Sequence, residues 1–249
     1  MKWTIAVLAA GKGTRMMSDL PKVLHEAAGR SLLDHVLDLA QDITDVEDIV
    51  VVVGHGAEEV ESHIRSRGVK TVLQEPQLGT GDALRVALEA KSNEGDSAVM
   101  VLSGDVPLLR PASLVSLRER LEEGAHAALL TAVLDDPNAY GRIIRGHDRG
   151  VQAIVEAKDA DAETLALNEV NAGVYAFRRA SLEQALASLK PDNTQGEYYL
   201  TDVVAWLRKA GFRVTAVVLD DADEMLGVNT RHDLEAVERI LLARDASTG

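Results

Sequence analysis

Residues 5–16 of the chain read IAVLAAGKGTRM, and this stretch decides the fold. Its first half is a continuous apolar run, which is typical of a strand buried on both faces of a parallel sheet. Gly11 and Gly13 then end the run. Glycines at this point let backbone N–H groups converge on an anion without interference from Cβ atoms. We therefore predict a first strand that leads directly into an anion-binding loop.

Two common phosphate motifs do not fit this loop. A P-loop would need a glycine at position 6 and Ser or Thr after the lysine, where the chain has Ala6 and Gly13. A dinucleotide fingerprint would need its third glycine at Met16. Arg15 can nevertheless bind phosphate oxygens bidentately, and Lys22 adds a mobile charge. We predict a different kind of triphosphate loop; the simpler alternative is a tight turn followed by solvated basic residues.

The sequence after this loop alternates strand and helix patterns. Short β-branched or apolar runs occupy 49–53, 69–73 and 98–102, and amphipathic stretches occupy 32–40, 58–67 and 81–90. This alternation is typical of βαβ units with a parallel sheet.

The second half has a different pattern. We predict strands at 126–134, 142–145, 151–156, 172–177 and 213–219, and helices at 180–189, 200–209 and about 230–243, with a polar stretch at 157–168. The short middle strands are interpreted as antiparallel excursions over one edge of the sheet. The predicted fold class is α/β, with a Rossmann-like, mostly parallel sheet flanked by helices and an inserted antiparallel part.

Composition excludes several classes of protein. The net charge is −14, from 26 basic and 40 acidic residues, so a nucleic-acid partner is not expected. The chain has no cysteine, which excludes disulfides and thiolate metal sites. No stretch approaches the roughly 20 apolar residues of a membrane span, and the apolar run at 3–10 is short for a signal peptide. We expect a cytoplasmic protein without membrane partners, and the sequence leaves its oligomeric state open.

Polar residues stand directly after the predicted strands, where ligands of open parallel sheets bind. Asp105 follows the strand at 98–102, and Mg²⁺ prefers such oxygen ligands. Gln74 follows the strand at 69–73, and its amide offers a donor and acceptors suited to a pyrimidine edge. Gly79 and Thr80 open the next helix and can present backbone N–H groups. The alternative for Asp105 is a turn or cap residue.

The motifs together resemble a known family. The stretch 8–16 with Leu20-Pro21-Lys22-Val23-Leu24 is similar to the signature of the nucleotide-sugar pyrophosphorylases. The resemblance continues to about residue 240 through 77–81, 104–108, 140–143, 154–159, 171–173, 195–202 and 227–229. Within the family, the set resembles the uridylyltransferase part of the bifunctional bacterial N-acetylglucosamine-1-phosphate uridyltransferase/glucosamine-1-phosphate acetyltransferases.

This resemblance implies a nucleotide-diphospho-sugar transferase fold and a specific reaction. UMP would pass from UTP to N-acetylglucosamine-1-phosphate with Mg²⁺, giving pyrophosphate and UDP-N-acetylglucosamine, a peptidoglycan and cell-wall precursor. It implies a single domain over 1–249. Residues 1–110 would bind the nucleotide, 111–229 the sugar, and 230–249 would form a C-terminal helix and tail.

The resemblance also implies residue roles. Catalytic roles fall on Arg15 and Lys22, and Asp105 with Asn229 would hold the metal. The substrate-binding residues would be Leu8, Ala9, Ala10 and Gly11 at the nucleotide, Gln74, Gly79 and Thr80 at the uracil, and Gly141, Glu156 and Asn171 at the amino sugar.

Structural alternatives stand beside several of these roles. Asn229 is also suited to an N-cap of the last helix. Glu156 has the alternative of a strand-end surface charge, and Asn171 that of a turn residue beside Gly173. Two interpretations are open for Tyr198, Tyr199 and Thr201. They fit either the sugar pocket, or the core and a helix cap.

The chain departs from the family pattern at three points. A hexapeptide-repeat β-helix is not present in the sequence, so acetyltransferase activity is not expected. Asp82 and Ser103 stand where the family often has a histidine and an aromatic residue.

Other functions fit parts of the pattern. The alternatives are a glucose-1-phosphate uridylyltransferase and a non-catalytic UDP-sugar-binding module. A 4-diphosphocytidyl-methylerythritol synthase would share the glycine loop but would not be expected to carry the segments at 195–199 and 227–229. A scaffold role would explain none of the polar residues that follow the strands.

Overall fold

The computed structural model describes residues 1–91 and 96–248, and its centre is one large sheet with helices on both faces. Gly249, at the end of the predicted tail, lies outside the described residues. The strands are β1 (Lys2–Ala9), β2 (Glu26–Ala27), β3 (Arg30–Ser31), β4 (Ile49–Val53), β5 (Lys70–Leu73), β6 (Ser97–Ser103), β7 (Ala127–Val133), β8 (Arg142–Arg145), β9 (Val151–Val155), β10 (Glu169–Arg178) and β11 (Val214–Val218). The α-helices are α1 (Leu32–Ile43), α2 (Ala57–Ile64), α3 (Thr80–Ala90), α4 (Pro111–Glu122), α5 (Ala162–Leu165), α6 (Arg179–Leu186), α7 (Asp202–Lys209) and α8 (Arg231–Thr248).

The strand order of the main sheet is β11-β7-β10-β6-β1-β4-β5. β1 pairs in parallel with β4 on one side and with β6 on the other. The chain therefore moves outward from β1 to β5 and then returns to the opposite side of β1. This reversal leaves a crevice at the carboxyl ends of β1 and β6, where ligands of such sheets bind.

The central strands are apolar along their whole length because helices cover both faces of the sheet. Ile5 and Val7 of β1 face one core cluster with residues of α1, α2 and α4, while Ala6 faces a second cluster with α3, α6 and α7. Every residue of β4 is buried, which explains its unbroken β-branched sequence. β5 is an edge strand, and Leu73 at its end is half exposed.

The predicted α/β class is confirmed, but the placement of one antiparallel strand was wrong. β8 and β9 lie off the main path, as expected for an excursion. β10 instead runs antiparallel between β6 and β7, inside the sheet, and begins at Glu169 rather than at 172. Its apolar sequence is the same in either position, so the pattern did not reveal its neighbours.

Two helices were missed by sequence reasoning. α4 has buried leucines at 114, 117 and 121, but its N-cap residue Arg110 makes no side-chain cap. Glu224 holds the start of this helix instead, because its Oε2 accepts hydrogen bonds from the Arg110 N–H at 3.0 Å and the Ser113 hydroxyl at 2.6 Å. α5 lies within the polar stretch and consists of a single turn capped by Asp161. Across the described residues, none of the helices has both the length and the apolar character that crossing a bilayer requires.

A charged cluster joins α1 to α2 and to the segment that follows α2. Ser31 caps α1, and Asp34 in its first turn accepts hydrogen bonds from Ser31, from His63 at 2.8 Å and from Arg67 at 2.9 Å. Burial opposes ionisation of Asp34, but these hydrogen bonds outweigh it and lower its pKa to about 2. The carboxylate is therefore the form that holds the two elements together.

We expect Asp34→Asn to lower the free energy of unfolding by about 1–2 kcal/mol at neutral pH. Because the folded-state pKa is depressed, this stabilisation is present above the unfolded pKa of about 3.9 and is lost as pH falls toward 2. Urea unfolding between pH 7 and pH 2.5 measures the difference. Asp42→Asn, at an exposed position of the same helix, is the matched control. A pH-independent difference between Asp34→Asn and wild type would contradict the role of the charge.

Candidate active site

The conformation of the loop after β1 depends on a glycine with positive φ and on one buried side chain. Gly13 has φ +59°, and a Cβ there would lie 2.7 Å from Cβ of Lys22, so the loop can lie against Lys22 only with glycine. The loop then forms a short 3-10 turn over Thr14–Met16. Met16 is buried in a small apolar cluster with Val228 and Val237 of the C-terminal segment. The residue that breaks the dinucleotide fingerprint is thus the anchor of the loop.

Four of the predicted site residues meet at one centre. Lys22 Nζ donates to Asp105 Oδ2 and, at 3.2 Å, to Asn229 Oδ1. Arg15 donates to the same Asn229 oxygen at 2.9 Å. Lys22 and Asp105 are largely buried, with side-chain exposures of 15% and 17%. Two oxygens from distant parts of the chain therefore converge on one cationic position.

Backbone hydrogen bonds position this centre. The Gly104 N–H donates to the Leu8 carbonyl at 2.9 Å, which joins the end of β6 to the end of β1. The Val228 N–H donates to the Asp105 carbonyl at 2.9 Å, which brings the segment before α8 to the same place.

Asn229 is not the cap of α8. Thr230 Oγ1 accepts from the Asp233 N–H at 3.2 Å, and Asp233 accepts from the N–H groups of Asn229 and Thr230. This is a capping box built on Thr230 and Asp233. The amide oxygen of Asn229 is thus left to meet Lys22 and Arg15.

The oxygen atoms at this centre are suitable ligands for a hard cation. It offers one carboxylate and one amide oxygen, and Mg²⁺ commonly takes one or two protein oxygens while phosphates and water complete its shell. The described residues contain no group of three or more His, Cys, Asp or Glu side chains that could hold a metal. Asp105 and Asn229 would supply two protein oxygens to such a cation.

The end of β5 carries a second polar feature. Gln74 is buried, and its Nε2 donates to the Gly79 carbonyl at 3.0 Å and to Asp82 Oδ2 at 2.9 Å. Both amide hydrogens are thus used within the protein, in contrast to the expectation that the amide would offer a donor and an acceptor. Gly79 is fixed as well, because the Tyr198 N–H donates to the Leu78 carbonyl and the Gly81 N–H to the Tyr198 carbonyl. Thr80 Oγ1 accepts from the Leu200 N–H.

A cleft of about 640 Å³ joins the two features. Ten of the predicted site residues line it: Leu8, Ala9, Ala10, Gly11, Arg15, Lys22, Gln74, Gly79, Thr80 and Asp105. Sequence reasoning missed Gln77, Gln195 and Glu197 as lining residues, although they belong to motifs that carried the resemblance. His55 lies exposed in the turn before α2.

Gly141, Glu156 and Asn171 form a separate group around β8, β9 and β10 and do not line this cleft. A Cβ on Gly141 would lie 3.5 Å from Glu156 Oε2, and the Gly141 carbonyl accepts from the Asn171 N–H at 2.9 Å. Asn171 Oδ1 accepts from the Gly173 N–H and its Nδ2 donates to the buried Tyr175 hydroxyl, so it also has the turn role. A Cβ on Gly173 would lie 3.8 Å from Ser103 Oγ, which places this group next to the end of β6.

Glu156 is largely buried rather than a surface charge. Burial raises its pKa, the Thr201 hydroxyl that donates to Oε1 at 3.1 Å opposes this, and nearby Asp159 and Asp202 raise it further. Thr201, which sequence reasoning left open, therefore contacts a predicted site residue. In its ionised form this carboxylate can accept hydrogen bonds from a polar ligand.

Comparison with known proteins gives a consistent family. Residues 5–196 match the family described as the MobA-like NTP transferase domain. The chain is 49% identical over 244 residues to the bifunctional protein GlmU of Heliobacterium modesticaldum, covering 98% of this chain and 53% of that protein. It is 47% identical over 241 residues to GlmU of Streptomyces coelicolor, covering 95% of this chain and 50% of that protein. The chain thus spans about half the length of these relatives.

Solved structures share the fold at lower identity. A putative glucose-1-phosphate thymidylyltransferase from Bacillus anthracis superposes with a TM-score of 0.76 at 20% identity, covering 96% of this chain and 94% of that one. A nucleotidyl transferase from Methanothermobacter gives 0.65 at 19% identity, covering 98% and 99%. The predicted nucleotide-diphospho-sugar transferase fold is confirmed.

The contact between Gly79 and the segment at 197–198 makes a testable prediction. Gly79 has φ +109°, and a Cβ there would lie 2.7 Å from the Tyr198 carbonyl oxygen and 2.9 Å from Cβ of Glu197. We expect Gly79→Ala to lower the free energy of unfolding by roughly 1–3 kcal/mol more than Gly124→Ala does. Gly124 also has a positive φ, +91°, but nothing lies within 4 Å of its Cβ position, so it is the reference for a positive-φ glycine without a close contact. The excess at Gly79 reflects the contact together with its ψ of 176°. Equal destabilisation in urea would show that backbone strain alone matters.

Proposed function

The chain belongs to the family of MobA-like NTP transferase domains, and on that premise we propose that it is a sugar-1-phosphate uridylyltransferase. The proposed reaction transfers UMP from UTP to N-acetylglucosamine-1-phosphate and releases pyrophosphate. The product, UDP-N-acetylglucosamine, would serve as a precursor of peptidoglycan in cell-wall synthesis. We expect this reaction in the cytoplasm.

The convergence of Lys22, Arg15, Asp105 and Asn229 at one end of the cleft carries the proposal. The chain is acidic overall, with a net charge of −14, yet Lys12, Arg15 and Lys22 all line this cleft. A polyphosphate would be repelled by the average surface and attracted to this place. The pairing of fixed cations with two oxygen ligands is what a metal-bound nucleoside triphosphate requires.

Asp105 and Asn229 would hold Mg²⁺ through their oxygens. When bound, the ion would neutralise charge on the reacting phosphates. Lys22 would leave these oxygens for phosphate oxygens near the reacting centre, because its flexible side chain already reaches this position. Arg15 and the loop N–H groups would bind the β- and γ-phosphates. The sugar phosphate oxygen would bond to the α-phosphorus of UTP in line as the bond to pyrophosphate breaks, and no covalent intermediate is needed.

The base would bind at the opposite end of the cleft, against Gln74, Gly79 and Thr80. Leu8, Ala9, Ala10 and Gly11 would line the nucleotide between base and phosphates. The amino sugar would lie toward Gly141, Glu156 and Asn171, beyond Ser103. In this arrangement the protein supplies position and charge rather than a nucleophile.

The test is pyrophosphate release with Mg²⁺ and UTP, comparing N-acetylglucosamine-1-phosphate with glucose-1-phosphate. We expect a strong preference for the N-acetyl sugar and a loss of at least about a hundredfold in kcat/KM for Asp105→Ala. Chelation of the metal should abolish release. Asp135→Ala, at an exposed turn position, is the matched control.

A preference for glucose-1-phosphate would keep the reaction class and overturn the sugar assignment. Binding of UDP-sugar without any turnover, in folded protein, would favour a non-catalytic module.

The raised pKa of Glu156 predicts a pH dependence of sugar binding. As pH falls toward this pKa, the carboxylate gains a proton and can no longer accept hydrogen bonds with both oxygens. We therefore expect KM for the sugar phosphate to rise as pH is lowered, and to rise less in Glu156→Gln, whose amide does not titrate. The phosphate itself titrates in both proteins, so the difference between their KM profiles isolates Glu156. Coincident profiles would exclude Glu156 from sugar binding.

A further inference from the structure

We propose that Asp82 is a positioning residue that fixes the amide of Gln74 so that its carbonyl oxygen faces the base, and that it thereby selects bases with an N–H at ring position 3. Uracil and thymine have this N–H, whereas cytosine has a lone pair at the same position. This inference rests on the proposed function for the identity of the ligand. Neither its geometry nor its test depends on turnover.

The orientation of the Gln74 amide is determined by its partners. An amide can turn by 180° unless its neighbours distinguish nitrogen from oxygen. The two atoms near Nε2 are the Gly79 carbonyl oxygen at 3.0 Å and Asp82 Oδ2 at 2.9 Å, and both can only accept. A turned amide would place its oxygen against these two oxygens. The carbonyl oxygen is therefore the polar atom that Gln74 can offer to a ligand in the cleft it lines.

Asp82 is itself held in place. Its side chain is 6% exposed and lies in the first turn of α3, where the helix dipole favours a negative charge. Its second oxygen, Oδ1, accepts from Arg85 at 2.5 Å, and a guanidinium can only donate. Both carboxylate oxygens are therefore committed, one to the arginine and one to Gln74. Arg85 thus fixes Asp82 as an acceptor, and Asp82 in turn accepts from the amide of Gln74, a residue that lines the cleft.

This chain of donors and acceptors has a consequence for the base. A ring N–H opposite the Gln74 oxygen forms a hydrogen bond, whereas a ring lone pair opposite it is repelled and left without a partner. A polar group left unpaired in a buried site costs about 1–3 kcal/mol, which corresponds to roughly fivefold to 150-fold in affinity.

Asp82→Asn replaces the acceptor that faces the Gln74 amide with a donor and leaves the shape of the side chain almost unchanged. Arg85 can only donate, so it will hold the amide oxygen of the new residue. The new amide nitrogen then faces Nε2 of Gln74, two donors meet, and the Gln74 amide loses its preferred orientation. Glu89→Gln is the matched control, since Glu89 is the other partner of Arg85, at 2.7 Å, and lies on the exposed side of the same helix.

The experiment measures dissociation constants for UTP and CTP by calorimetry with Mg²⁺ and without sugar phosphate. We expect the ratio of the CTP to the UTP constant to be large in wild type and in Glu89→Gln, and to fall by roughly tenfold or more in Asp82→Asn. Asp82→Asn combined with Arg85→Met should recover part of the ratio, because the new amide is then free to turn its oxygen toward Gln74. A purely structural role for Asp82 would weaken both nucleotides equally and leave the ratio unchanged.

A folded Asp82→Asn with the wild-type ratio, or a wild type that binds UTP and CTP equally, would overturn the inference. Asp82→Ala provides a second variant if Asp82→Asn does not fold: it removes the acceptor without adding a donor, and an unchanged ratio would overturn the inference equally. Pyrophosphate release is measured alongside on wild type. Absence of release with a large binding ratio would overturn the proposed reaction and leave the role of Asp82 standing.

Discussion

The parallel pairing of β1 with β6 is the constraint on which the rest of the site depends. Leu8 lies opposite Ser103 in this register, so the glycine loop and Asp105 leave the sheet side by side. The hydrogen bond from Gly104 to the Leu8 carbonyl then fixes the two chain ends to each other. Both strands are buried on both faces, so a shift by one residue would move each side chain into the core cluster on the opposite face, where its packing partners differ. The register of the core therefore also sets the distance between the loop and the carboxylate.

The C-terminal helix completes this arrangement from the far end of the chain. The Val228 N–H donates to the Asp105 carbonyl, and Val228 and Val237 belong to the same buried apolar cluster as Met16. The same short segment thus holds the carboxylate and the loop. Because Thr230 and Asp233 satisfy the start of α8, Asn229 can direct its oxygen to the cationic centre.

At the base end of the cleft, the residues proposed to bind the ligand are also held by contacts within the protein. Tyr198 fixes the backbone at Leu78 and Gly81, and Asp82 and the Gly79 carbonyl fix the side chain of Gln74. Structural and ligand-binding roles coexist here rather than exclude one another. Asn171 is another example, since it makes a turn contact with Gly173 and a hydrogen bond to Tyr175 beside the proposed sugar site.

The sequence by itself determined the α/β class, the apolar strands and the residues that follow them. Strand burial, glycine placement and residue type are local properties, and they predicted the loop at 11–16, Asp105 and Gln74 without reference to neighbours in space. The tertiary structure decided what depends on partners distant along the chain. It placed β10 inside the sheet, brought Glu224 to the start of α4, and oriented the Gln74 amide through Asp82. It also freed Asn229 from the role of cap by giving that role to Thr230. The physical reason is that a hydrogen bond or a strand pairing depends on two partners. A local sequence pattern describes only one of these partners, so it does not show which distant residue the other one is.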